Sequence, residues 1–129
     1  MTDPRPSSAE LGGSAESVFS PAPPELAFPN SAAWLEHYLL PNYVRRPVEN
    51  RWCPTWWEHA EALTRVEALW RAWEALRWDG PTGMAVWWRD YCDPHMRVLL
   101  SAEGPFFDCA RGHSLPAPFS VTAPPKDMF

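Results

Sequence analysis

Residues 54–78 read PTWWEHAEALTRVEALWRAWEALRW and carry the clearest helical pattern in this 129-residue chain. Placed at 100° per residue, the apolar side chains fall on one continuous arc: Trp56, Ala62, Leu63, Val66, Leu69, Trp70, Trp73 and Leu76. Pro54 suits the first helical position, and Gly80 can adopt the left-handed conformation that ends a helix. The pattern predicts a tryptophan-rich helix over residues 54–78, about 37 Å long.

Two flanking stretches predict shorter helices. Residues 31–40 carry an apolar stripe, with Asn30 or Ser31 as the cap and Pro41 as the end of the helix. Residues 83–92 predict a third helix, and Asp93-Pro94 predicts a break before a short helix over residues 94–100. The fold class that follows is mainly all-α. It is a small bundle of three to four helices around the long tryptophan-rich helix.

Many of the 16 prolines lie near the ends of the chain and suggest its division. Residues 1–24 are rich in Pro, Ser and Ala, have few large apolar side chains, and predict a disordered N-terminal arm. Residues 25–113 form the predicted helical domain. Residues 114–129 are also proline-rich but intersperse large apolar side chains, which predicts an extended strap packed on the domain: Leu115, Phe119, Val121, Met128 and Phe129.

Charge and hydropathy exclude some classes of protein. The formal net charge is −5 at pH 7, whereas general nucleic-acid binders normally carry a basic face. No apolar run approaches the roughly 20 residues that cross a bilayer. The N-terminus shows no basic stretch followed by an apolar one, as a signal peptide would. Together with three cysteines, an odd number that fits reduced thiols, these features predict a soluble, cytoplasmic protein without a membrane partner.

The nine tryptophans cannot all face the core. Neighbouring residues on a helix point about 100° apart, so one member of Trp56/Trp57 and one of Trp87/Trp88 is expected at the periphery. Trp57 and Trp88 are therefore candidates for binding a partner, because exposed tryptophans often mark binding surfaces. The alternative is that the peripheral rings lie beneath the C-terminal strap.

Two short Cys/His pairs suggest a zinc site. Cys92 and His95 form a C-x2-H pair, and Cys109 and His113 form a C-x3-H pair in a turn-rich stretch. Zinc takes such ligands tetrahedrally, and two close pairs could staple a small domain. The alternative is that they are ordinary buried thiols and surface histidines, with Cys53 left over.

His59 falls inside the apolar arc of the long helix, where a core histidine is the simpler interpretation. If the helix begins at Pro54, Cys53 and His59 are about 9 Å apart along its axis. Tetrahedral donors sit only about 3.5–4 Å apart, given bonds of about 2.0–2.3 Å. These two residues could therefore share a metal only if the first turn is irregular.

Motifs for other chemistry are absent from the sequence. It has no glycine-rich phosphate loop, no G-x-S-x-G and no H-E-x-x-H. A metal-dependent hydrolase would need a base beside an open metal position, for which Glu58 or Asp93 could serve. Arg45, Arg46 and Arg51 cluster in one loop and suggest a DNA-binding module as an alternative, although such a loop can simply be solvated surface.

Several runs resemble the actinobacterial domain-of-unknown-function family 4913 over about residues 25–129. They include WCP at 52–54 followed by Trp56-Trp57, ALWRAWE at 68–74, WWRD at 87–90 and GPF at 104–106. The family has no assigned activity, and the resemblance implies a small accessory protein of actinobacteria or their mobile elements. It also implies a ligand set for zinc: Cys53, His95, Cys109 and His113. His59 matches the family's pattern as well and is an alternate, and Cys92 is an alternate that departs from that pattern.

The sequence thus predicts a non-enzymatic accessory or interaction protein that contacts a protein partner, with a structural Zn²⁺ as its candidate cofactor. Binding to nucleic acid through the arginine loop is the alternative, and metal-dependent hydrolysis is a third class.

Overall fold

The computed structural model describes residues 25–129, and the arm predicted over residues 1–24 lies outside the described residues. Three helices form the domain. We label them α1 (residues 31–42), α2 (Ala60–Leu76) and α3 (residues 83–99). Two short 3₁₀ turns, Trp56–Glu58 and Gly80–Thr82, precede α2 and α3. No strand occurs within residues 25–129, so the all-α prediction is confirmed.

The first helix is capped as predicted but ends later. The Asn30 side-chain oxygen accepts a hydrogen bond from the Ala33 N–H at 2.8 Å. The helix has α-helical ends, Ser31–Trp34 and Leu40–Asn42, around a π-helical middle, Leu35–Leu39. It continues past Pro41 to Asn42, so the prediction that it ends at residue 40 is wrong by two residues. Proline removes one N–H donor but does not end the helix at once.

The second helix is shorter than predicted because its first turn is irregular. Residues 56–58 form a 3₁₀ turn, and His59 then adopts an extended backbone conformation, with φ −92° and ψ 113°. The regular helix begins at Ala60 rather than Pro54, and its 17 residues span about 25 Å. Gly80 has a φ of 66°, which confirms the left-handed conformation expected after this helix.

The third helix does not break at Asp93-Pro94, and that prediction is wrong. Its segments, Gly83–Val86, Trp87–Cys92 and Asp93–Leu99, follow one another without interruption. The middle segment is π-helical, and the Asp93 N–H donates to the Trp88 carbonyl five residues back. This wider turn makes room for Pro94, whose ring would clash with the carbonyl group four residues earlier in a regular α-helix. The bundle therefore has three helices.

Aromatic side chains fill the space between the helices. Helix α2 contacts both α1 and α3, and the rings of Trp34 and Trp87 meet edge to face at 5.9 Å between centroids. Trp87 is fully buried, and its indole N–H donates to the Leu69 carbonyl at 3.0 Å. Of the predicted arc, Leu63 faces outward. The core does include the following residues: Trp56, Ala62, Val66, Leu69, Trp70 and Trp73.

A buried carboxylate on α2 binds the segment of chain that precedes α1. Glu74 accepts hydrogen bonds from the Ala27 and Phe28 N–H groups at 3.0–3.1 Å. It also accepts from the Trp70 indole at 3.1 Å and from the Arg77 guanidinium at 3.1 Å. Burial alone raises the pKa of Glu74, but these hydrogen bonds outweigh it and hold the pKa below its ordinary value. A charged Glu74 thus fixes the chain entering α1.

The C-terminal segment, residues 114–129, is predicted from the sequence to be a strap packed on the domain. The side chains of residues 115–129 are all exposed, and Phe119 is 100% exposed. Residues 115–119 nevertheless line a cavity together with His59 and Phe107, and the Ser114 hydroxyl donates to the Asp108 carboxylate at 2.8 Å, so packing of the whole strap stays a prediction. Separately, no helix within residues 25–129 has the length and hydropathy needed to cross a membrane.

Candidate metal centre

Two cysteines and two histidines converge at the start of α2. The ligand atoms of Cys53, His59, Cys109 and His113 all lie within 4.8 Å of one another. In a tetrahedral zinc site the donor atoms are about 3.5–4 Å apart, since each lies about 2.0–2.3 Å from the ion. The observed spacing therefore matches a zinc site after small side-chain adjustments.

Each cysteine in the cluster faces a histidine nitrogen. Cys53 Sγ lies 3.1 Å from His113 Nδ1, and Cys109 Sγ lies 3.4 Å from His59 Nε2. Both cysteines are free thiols and both are buried. His59 is buried as well, whereas 30% of the His113 side chain is exposed. The cluster thus sits just beneath the surface, with His113 on its outer side.

The irregular turn before α2 brings the first two ligands together. Cys53 precedes the 3₁₀ turn Trp56–Glu58, and His59 follows it. The extended conformation of His59 turns its side chain away from the path of a regular helix, so that its ring lies edge to face with Phe106 at 5.0 Å. Because the turn before α2 is irregular, Cys53 and His59 are close enough to share a metal ion.

The other two ligands come from a series of tight turns after α3. A Cβ atom at Gly104 would overlap the Val98 carbonyl oxygen. Only glycine therefore allows the chain after α3 to pass this close to the last turn of the helix. The Cys109 N–H then donates to the Phe106 carbonyl at 3.1 Å, and the Gly112 N–H donates to the Cys109 carbonyl at 3.2 Å. This second turn places His113 back beside Cys109.

The two thiols differ in acidity. Burial raises the pKa of Cys53, but hydrogen bonds from Thr55, His113 and His59 outweigh it and lower the pKa to about 6. Burial, with a smaller effect of the neighbouring Cys53, raises the pKa of Cys109. The metal-free cluster thus favours one thiolate beside one neutral thiol. A divalent ion binds both as thiolates, so its binding would release a proton.

The structure corrects the preferred ligand set at one position. His95 is not in the cluster: its Nδ1 lies 2.9 Å from an Arg65 guanidinium nitrogen on α2. His59, an alternate in the sequence-based set, takes its place. Cys92, the other alternate, is fully buried in α3, where burial raises the pKa of its thiol to about 12. Such a thiol stays protonated at neutral pH.

Sequence reasoning missed the partners that surround the ligands. Thr55 Oγ1 lies 3.3 Å from Cys53 Sγ, and Glu58 Oε2 lies 3.5 Å from His113 Nε2. No spacing in the sequence marks Glu58 as a partner of His113, because the two residues lie 55 positions apart.

The candidate partner-binding residues lie in two places. Trp57 is 54% exposed beside the start of α2. Trp88 is half-buried, and its ring stacks on Tyr43 at 6.2 Å with an interplanar angle of 7°. The Arg45 guanidinium lies over the Tyr43 ring, 3.7 Å from its centroid. In the same loop, Arg46 pairs with Glu49 at 3.3 Å, whereas Arg51 is half-buried.

Comparison with family models identifies the family of the chain. A family model described as "Domain of unknown function (DUF4913)" matches residues 28–126. No curated protein and no solved structure matches the chain.

Proposed function

Because this chain belongs to the DUF4913 family, a domain of unknown function, we propose its function from the site alone: a non-enzymatic interaction domain completed by a structural zinc ion. The observation that carries the proposal is the Cys2His2 cluster, with its four ligand atoms within 4.8 Å of one another. Two thiolates and two imidazoles are a donor set that zinc prefers in structural sites.

The number of ligands favours a structural role over catalysis. A catalytic zinc site keeps a coordination position open for water, usually with three protein ligands. Here four side chains would occupy a tetrahedral shell, and three of those residues are buried. This supports a non-enzymatic protein and disfavours metal-dependent hydrolysis by Glu58 or Asp93.

The ion would hold together parts of the chain that are far apart in sequence. Cys53 and His59 lie before α2, while Cys109 and His113 lie in the turns that follow α3. Those turns contain only local backbone hydrogen bonds of the i to i+3 type. A small domain gains much from such a link because its own core is limited.

Native mass spectrometry of the full chain, purified without an affinity tag, tests the zinc site. We expect one zinc ion per chain. We expect loss of zinc in His59→Ala and Cys109→Ser, and retention in the matched controls His95→Ala and Cys92→Ala. A wild-type chain that stays metal-free when zinc is supplied would overturn the proposal. Loss of zinc in His95→Ala alone would overturn the ligand set.

The proposed role in binding a partner rests on an exposed aromatic surface near the candidate metal centre. Trp57 is 54% exposed and borders an apolar groove of about 400 Å³, whose walls include Trp52, Leu35 and Leu40. Exposed tryptophan beside a groove is typical of surfaces that bind proteins. We expect the full chain to capture a protein from a host lysate and Trp57→Ala to capture less of it. Equal capture by both would remove Trp57 from the proposal.

Binding to DNA is a second candidate, favoured by the stack of Arg45, Tyr43 and Trp88. This arrangement offers a cation on the exposed loop beside two half-buried rings, of Tyr43 and of Trp88 in α3, although the net charge of −5 opposes DNA binding. Titration of duplex DNA at low and high salt separates the candidates. Affinity that falls steeply with salt, and falls further in Arg45→Ala, would support it. No binding at low salt would remove it.

A further inference from the structure

We infer that Glu58 is the positioning residue of the metal centre: its carboxylate accepts the Nε2–H of His113 and thereby presents His113 Nδ1 to the ion. This inference rests on the proposed zinc site and deepens it. It assigns a role to a residue outside the four ligands.

The two ring nitrogens of His113 face different partners. Nδ1 lies 3.1 Å from Cys53 Sγ, inside the cluster, and Nε2 lies 3.5 Å from Glu58 Oε2, outside it. A neutral imidazole carries one proton, so the nitrogen that binds a metal leaves the proton on the other. A carboxylate that accepts this proton sets the tautomer and the ring orientation, as partners of metal-bound histidines commonly do.

The other histidine of the cluster is held by packing instead. The His59 side chain is buried, and its ring lies edge to face with Phe106 at 5.0 Å. His113 follows Gly112, whose φ is 128°, and 30% of its side chain is exposed. The His113 ring meets the His59 ring edge to face at 5.1 Å but is less enclosed than His59 itself. A hydrogen bond to Glu58, formed when their 3.5 Å contact shortens, would supply the orientation that burial supplies at His59.

Glu58 is placed for this role by the same turn that supplies the ligands. It is the last residue of the 3₁₀ turn Trp56–Glu58, and its N–H donates to the Thr55 carbonyl at 3.0 Å. Its side chain is 45% exposed, so a small rotation can shorten the 3.5 Å contact to hydrogen-bond length. The turn that joins Cys53 to His59 thus also carries the partner of His113.

Zinc affinity, measured by competition with a chromophoric chelator, tests the role. We expect Glu58→Ala to weaken zinc binding about 10- to 100-fold, the usual effect of removing such a partner. Glu58→Gln keeps a neutral acceptor and should lose less. Glu61→Ala is the matched control, because Glu61 is 50% exposed and pairs with Arg65 rather than with a ligand. It should change affinity less than twofold.

A second readout separates positioning from general stability. In ¹⁵N NMR of the zinc-loaded chain we expect His113 to show a metal-bound Nδ1 and a slowly exchanging Nε2–H. That proton signal should broaden in Glu58→Ala and persist in Glu61→Ala. The Trp87 indole N–H, which is bonded to the Leu69 carbonyl in the core, should stay unchanged in all variants.

The outcomes distinguish this inference from the proposed function. A wild-type chain that binds no zinc overturns both. A wild-type chain that binds zinc, with Glu58→Ala and Glu61→Ala equal in affinity, overturns the role of Glu58 alone. An Nε2-bound His113 in the wild type also overturns it.

Discussion

The aromatic core is formed by packing, whereas the candidate metal centre would hold the same small domain through bonds to an ion. In the core, Trp34, Trp87 and their neighbours exclude water between three helices, and hydrophobic burial needs no exact distance between atoms. In the metal centre, four polar side chains meet within 4.8 Å, and a bond to an ion would require exact distances. The difference predicts that the helices tolerate loss of the metal, while the turns around Cys109 and His113 do not.

Truncation of the core should have the largest effect. Trp87 is fully buried and its indole N–H is bonded to the Leu69 carbonyl. We expect Trp87→Ala to lower the free energy of unfolding by about 3–5 kcal/mol, because it leaves a cavity and removes the indole hydrogen bond. Urea unfolding followed by circular dichroism measures this change. Trp57→Ala is the control, since an exposed side chain should cost about 0.5 kcal/mol or less.

Removal of zinc should have the next largest effect, and it tests the comparison most directly. An ion present at 1,000 times its dissociation constant stabilises the folded state by about 4 kcal/mol. We expect a chelator to speed amide exchange in residues 101–113 while the Trp87 indole signal persists. In Cys109→Ser the chelator should have no further effect. Collapse of the core upon chelation would show that the two regions are one cooperative unit.

Acid should weaken the hydrogen bonds between the Glu74 carboxylate and the segment before α1. Hydrogen bonds hold the folded pKa of Glu74 below its ordinary value despite burial. A lowered pKa gives stability that is present above the ordinary glutamate pKa of about 4.3 and is lost as the pH falls below it. Thermal unfolding across this range measures the loss.

Glu74→Gln separates this contact from other carboxylates. It should cost about 1–3 kcal/mol at neutral pH, because the Ala27 and Phe28 N–H groups lose a charged acceptor. It should also flatten the acid dependence, while Glu61→Gln keeps the wild-type profile. An unchanged acid profile in Glu74→Gln would assign the pH dependence to other groups.

Helical periodicity predicted the core of α2 well because burial on one face repeats with the helical turn. Val66, Leu69 and Trp73 all face inward as predicted. Local rules for proline failed at Pro41 and Pro94, since π-helical turns in α1 and α3 adapt the backbone beside each proline. The strap stays a prediction: apolar side chains at 115–129 are largely exposed, although Leu115 and Phe119 line a cavity beside His59.

The sequence by itself determined the helical class and the central helix, because these depend on local periodicity. The Cys/His spacing pointed to Cys109 and His113, and the family resemblance added Cys53. Only the tertiary structure chose His59 over His95 as the fourth. That choice depends on one extended residue before α2 and on Phe106 and Cys109, which reach His59 from about 50 positions away. Spacing along the chain cannot report such an encounter, because distant segments meet only when the whole core has formed.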